Sequence, residues 1–128
     1  MKALLLIAHG SRREASNQEI IELAEHLAEQ AGDEFAMVKA CFLELARPSI
    51  GEAVKACAKH GINDITAIPY FLSAGRHVAE DVPRELEAAA RIHSSIRLST
   101  CPHIGAAGAM PRLLLAAARE RDSYIGAE

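Results

Sequence analysis

Residues 2–13 read Lys2-Ala3-Leu4-Leu5-Leu6-Ile7-Ala8-His9-Gly10-Ser11-Arg12-Arg13, and the change of character at His9 decides the fold. The apolar run 3–8 shows no alternation, as expected for a parallel strand covered on both faces. Gly10 permits a sharp turn, and the polar residues after it open a helix. From 14 to 31 the period is helical: Ile20, Ala24, Leu27, Ala28 and Ala31 share one face, and Gly32 supplies a stop.

The same unit recurs along the chain. Residues 35–43 suit a second strand. Ser49-Ile50-Gly51-Glu52 has capping-box spacing, and Ile50, Ala53, Val54, Cys57 and Ala58 line the helix behind it as far as Gly61. Residues 62–69 make a third strand that stops at Pro69. Residues 70–81 carry no clean period and form the longest connection. Pro83 opens a third helix running to about residue 92, 96–101 is a fourth strand, and 111–121 a last, Ala-rich helix read as packing.

Alternating strands and helices predict an α/β fold: a four-stranded parallel sheet with right-handed crossovers and helices on both faces, in one domain over 1–128. Such sheets bind ligands at the carboxyl ends of their strands. His9, Glu44, His77 and His103 each follow a strand end, so the topology brings them to one rim. A sheet this small leaves that rim open, and pairing of two chains would close it.

Composition narrows the function. The 128 residues are 50% hydrophobic and 24% charged, with 14 Lys plus Arg against 17 Asp plus Glu. A net charge of −3, 4% aromatic residues and no Trp exclude a phosphate-backbone binder and a base-stacking platform. No run approaches the ~20 apolar residues that span a bilayer. The amino-terminal run is too short for a secretion signal. The 3 Cys, widely spaced and without CxxC, fit neither a disulfide framework nor a structural zinc site. A cytoplasmic protein without nucleic-acid or membrane partners is expected.

Three rim motifs carry chemistry. In His9-Gly10-Ser11-Arg12, His9 is a candidate metal ligand or base, while Ser11, Arg12 and the helix start would attract an anion. Pro69-Tyr70-Phe71-Leu72-Ser73-Ala74-Gly75-Arg76-His77-Val78 is an apolar loop with one Arg and one His, suited to a flat hydrophobic ligand with charged edges. In Phe42-Leu43-Glu44-Leu45-Ala46-Arg47-Pro48, Glu44 either takes part in metal or proton binding or pairs with Arg47. His26, His60 and His93 read as surface residues, and Cys41 and Cys57 as small core residues.

Together these motifs resemble the sirohydrochlorin chelatases of the CbiX/SirB type, within the class II tetrapyrrole chelatases. The resemblance implies a three-layer, flavodoxin-like chelatase half-domain that works as a homodimer, with the cavity between the halves. It implies insertion of a divalent metal into sirohydrochlorin, Co2+ first and Fe2+ or Ni2+ as alternatives, with no ATP or other cofactor. His9 and His77 match the family's paired histidines, which would hold the incoming metal, and His9 would also accept a pyrrole proton. Leu72, Ser73, Ala74, Gly75 and Arg76 would wrap the ring, faced by Glu44 and Leu45. The macrocycle's carboxylates suit Arg12, Arg47 and Arg76 by charge.

Two rivals remain. Histidine phosphatases also place His-Gly after a first strand, but an Arg immediately precedes that His, where this chain has Ala8. A tetrapyrrole or metal carrier on the same fold would use both histidines without turnover.

Overall fold

The computed structural model describes residues 1–126. Strands β1 (Lys2–Ala8), β2 (Met37–Phe42), β3 (Asp64–Pro69) and β4 (Arg97–Thr100) alternate with helices α1 (Glu14–Ala31), α2 (Ile50–Lys59), α3 (Val82–Ile92) and α4 (Met110–Arg119). The sheet is wholly parallel, in the order β2-β1-β3-β4. Chain order reverses between β1 and β3, the switch point at which open α/β sheets bind ligands.

Two apolar layers hold the sheet. Ala3, Leu5 and Ile7 face α2 and α3, packing with Val54, Cys57, Ile65, Val82 and Leu86. Leu6, Ala8 and Phe42 face α1 through Ala24, with Ile20 and Leu27 at the margin. This double cover is why β1 reads as an unbroken apolar run. Burial also pushes the Cys41 thiol up to about 12, so this Cys is a packing residue. The Ser49 capping box forms as the spacing predicts: its hydroxyl accepts from Glu52 N–H, and the Glu52 carboxylate accepts from Ser49 N–H.

The structure corrects two expectations. The connection 70–81 is not irregular throughout, because His77–Asp81 forms a π-helical turn running directly into α3. Its wider hydrogen-bonded ring, with Val82 N–H donating to the His77 carbonyl, removes the 3.6-residue period that a sequence scan looks for. The last helix is not packing within this chain: none of the residues of α4 is buried. The preceding β4 is short, and its Arg97 and Ser99 are exposed, so it offers α4 little apolar surface to lie on.

Candidate functional site

The site forms where β1, β2 and β3 end. Gly10 has φ +97°, and a Cβ there would lie 1.7 Å from the Glu44 carbonyl oxygen. Only glycine therefore lets the loop after β1 pass this close to the loop after β2. Leu43 N–H donates to the Ala8 carbonyl at 3.0 Å and Glu44 N–H to that of His9 at 3.1 Å, so the two loops continue the strand pairing. Asn17, 4% exposed, braces the turn from α1. Its Oδ1 accepts from Ser11 N–H at 2.9 Å, and its Nδ2 donates to the Ser11 carbonyl at 2.8 Å.

On this scaffold the two histidines meet. The His9 and His77 ring centroids are 4.4 Å apart, with the planes tilted by 58°. His9 Nδ1 lies 3.0 Å from the Gly10 carbonyl, the geometry of an N–H donor. His9 Nε2 lies 3.0 Å from Glu44 Oε2, within ion-pair distance. His77 Nδ1 lies 2.7 Å from Asp81 Oδ2, one helical turn on, which leaves its Nε2 free. Arg84 Nη2 donates to Asp81 Oδ1 at 2.7 Å. The bond from His77, more than those from Arg84, holds the Asp81 carboxyl below its ordinary range. Leu43, Glu44, His77, Asp81, Arg84 and Glu85 line a cleft of about 160 Å³. Among the described residues, no three His, Cys, Asp or Glu side chains converge as a metal cluster. The chain's nitrogen donors come as a pair.

The other predicted residues stand further out. Leu45, at φ 65° and 53% exposed, follows Glu44. Leu72 is 78% exposed, and Ser73, Ala74 and Gly75 continue the open loop. Arg76 pairs loosely with Glu80 at 3.6 Å and keeps an exposed guanidinium. Arg12 is exposed, while the Ser11 hydroxyl accepts from Arg13 N–H at 3.0 Å. Arg47 does not pair with Glu44. Its guanidinium binds Glu52, whose carboxyl that contact lowers to about 2. The cis Arg47–Pro48 bond lies between Arg47 and the cap of α2.

Sequence reasoning missed Asp81, Arg84 and Asn17. The four-residue spacing of His77 and Asp81 was the available signal for the first, since i and i+4 meet on a helix. A polar residue in the first turn of α1 was the signal for Asn17, because short amide side chains bond nearby backbone.

The CbiX family model matches residues 3–121. The chain belongs to the CbiX family. Among curated members, a sirohydrochlorin cobaltochelatase of Methanopyrus kandleri is 41% identical over 86 residues, covering 67% of this chain and 59% of that one. The chloroplastic sirohydrochlorin ferrochelatase of Arabidopsis thaliana is 35% identical, over 77% of this chain and 44% of that one. The matched stretch therefore spans only about three-fifths of the first relative's length. Among solved structures, a CbiX protein from Marinobacter aquaeolei VT8 superposes with TM-score 0.72 at 31% identity, covering 93% of this chain and 92% of that one. The sirohydrochlorin chelatase SirB from Bacillus subtilis subspecies spizizenii, in complex with cobalt, reaches TM-score 0.81 at 28% identity, over 93% of this chain but 50% of that one.

Proposed function

We propose that this CbiX-family chain is a sirohydrochlorin chelatase, a lyase that inserts a divalent metal, cobalt foremost, into sirohydrochlorin for cobalamin biosynthesis. The observation that carries this reading is the facing of His9 and His77 at 4.4 Å on the switch-point rim, with His9 Nε2 paired to Glu44 and His77 Nδ1 held by Asp81. Cobalt is named in the Methanopyrus and SirB matches. Iron is named in the Arabidopsis match, and imidazole nitrogens suit cobalt, iron and nickel alike, so Fe2+ is the alternative metal.

The chain's own groups suggest the chemistry. Asp81 holds His77 so that Nε2 faces the incoming substrate metal, as carboxylates orient metal-binding histidines generally. Two pyrrole N–H protons must leave as the metal enters. The pair of His9 and Glu44, 3.0 Å apart, accepts one and passes it onward, and the other leaves to solvent. A pair of nitrogen donors suits transfer, because the ion must be given up to the ring's four nitrogens. The exposed loop 72–76 and Leu45 offer apolar cover for the ring, and Arg12, Arg76 and Arg47 offer charge to its carboxylates. No ATP or other cofactor is required, since metal entry is driven by the chelate itself.

This chain matches half of the SirB chain, which supports a homodimer in which a second copy supplies the other half. No helix among the described residues is long and apolar enough to cross a membrane, in keeping with a cytoplasmic enzyme.

The test is anaerobic: purified protein, sirohydrochlorin and Co2+, followed by visible absorption against a no-enzyme control, with Fe2+ and Ni2+ in parallel. Repeated turnover is expected, and its loss in His77→Ala with folding retained. Tight ring binding without turnover would mean a carrier, and parent-rate insertion by His77→Ala would overturn the site. The rate should fall in acid, because metal and proton compete for the same Nε2.

A further inference from the structure

The turn that follows β4 reaches back to the loop that follows β3. Its entry is fixed to the sheet, because Cys101 N–H donates to the Ala67 carbonyl at 2.9 Å. The turn Ile104–Ala106 then closes on itself. Ala106 N–H donates to the carbonyl of His103, the fourth strand-end residue, at 2.9 Å, and Ala107 N–H to that of Ile104 at 3.0 Å. At its centre Gly105 N–H donates to the Phe71 carbonyl at 3.0 Å. A Cβ on Gly105 would lie 1.8 Å from the Leu72 carbonyl oxygen, 2.5 Å from its carbon and 2.9 Å from the Leu72 Cα, against roughly 3.5 Å for an ordinary contact. All three atoms are backbone, so no change of rotamer relieves the clash.

The loop depends on that contact. Tyr70 N–H donates to the Ile7 carbonyl at 2.7 Å and Ala79 N–H to that of Gly75 at 2.9 Å, so both ends of the loop are tied. Between them, residues 72–74 make no backbone hydrogen bond of their own among the described residues. Leu72 nevertheless stands 78% exposed. An apolar side chain on an untied segment gains free energy by turning onto its own protein, unless the backbone beneath it is held. Gly105 lets the turn hold it. Gly108 is the contrast, since a Cβ there meets nothing within 4 Å. Neither glycine has a positive φ, so close approach alone is what demands glycine at 105.

We propose that Gly105 is a positioning residue for ring binding. By letting the turn after β4 clamp the Phe71–Leu72 backbone, it keeps Leu72 out of the protein as a preformed apolar wall for a flat tetrapyrrole. The loop is then ordered during folding, and binding loses less conformational freedom, which is how preorganisation raises affinity. Gly105 acts through Leu72, so it bears on affinity for the ring and not on the His9–His77 pair that faces the metal. The inference rests on the chelatase reading and deepens it by naming what holds the ring-facing loop.

The test uses the full chain, anaerobically, with metal-free sirohydrochlorin as the probe and quenching of its fluorescence as the signal. Gly105→Ala should weaken ring binding and raise KM for the ring by roughly tenfold, while kcat at saturating ring and the binding of Co2+ alone stay within about twofold. Gly108→Ala, which changes the same segment without a clash, should match the parent. Leu72→Ala should itself weaken ring binding, and adding Gly105→Ala to it should change little, because residues acting through one contact are not additive. Parent-like ring affinity in Gly105→Ala, an equal loss in Gly108→Ala, or a full effect without the Leu72 side chain would overturn the proposal. Hydrogen exchange on the parent tests the clamp with no substitution at all. The Gly105 amide is expected to be protected before any ring is added, and exchange at the rate of a free peptide overturns the clamp. A parent that binds no sirohydrochlorin would sink the chelatase reading itself, and with it any role of Gly105 in ring binding.

Discussion

The first and last strand–helix units of this chain have the same order of elements and opposite fates. In β1 every residue after Lys2 is buried, and α1 lies on the sheet through Ala24. In β4 no residue is buried, and α4 keeps its leucines in solvent. β1 lies in the middle of the order with helices over both faces, whereas β4 lies at the edge beyond the reach of α1. The comparison teaches that the candidate site and the open face belong to different halves of the sheet. The rim is fixed by the finished half, and the unfinished half remains available to another surface.

The sharpest way to break that comparison is to truncate matched residues. Leu5→Ala should lower the unfolding free energy by about 3–5 kcal/mol, because Leu5 is wholly buried. Leu114→Ala should change it by less than about 0.5 kcal/mol in protein dilute enough to be monomeric. Chemical denaturation of both variants measures the contrast, and equal losses would show that α4 packs within its own chain. Next in size is Asn17→Ala, which strands both backbone groups of Ser11. A loss of about 1–3 kcal/mol is expected, with a fall in metal insertion because the turn carrying His9 loosens. Full activity would show that Gly10 and the β2 contacts suffice.

Ser49→Ala should cost about 1 kcal/mol by removing the α2 cap. Glu52, bound first by Arg47 and then by the cap, also has a pH signature. Glu52 has a folded-state pKa lowered from 4.5 to about 2, so its contribution is present above 4.5 and lost as pH falls towards 2. Parent and Glu52→Gln melting curves should therefore converge across that window and stay apart at neutral pH. A gap that stays constant down to pH 2 would assign the effect to shape alone.

Much of the fold was legible because its signals are local. Helix α1 occupies 14–31, bounded by the polar cluster after His9 and by Gly32, and the capping box at Ser49 opens α2. His9, Glu44 and His77 were legible as strand-end residues, since a parallel sheet gathers such positions at one edge. What escaped the sequence depends on contacts that no period encodes. The π-helical turn hid the His77–Asp81 pair inside an aperiodic stretch. Arg47 had two carboxylates within reach in sequence, and the fold gave it to Glu52. The last helix has a perfectly good amphipathic pattern, but a pattern states that a face wants cover and not which molecule supplies it.

The close pass of Gly10 under Glu44 has a kinetic consequence. Any side chain there would wedge the two loops apart, and the 3.0 Å contact between His9 and Glu44 would open with them. A proton leaving the ring would then depend on solvent to complete its journey. Small diffusible bases such as free imidazole should partly restore a Gly10→Ala protein while doing little for the parent. On the proposed chelatase reading, one glycine thus separates a reaction that carries its own proton relay from one that must borrow it from the buffer.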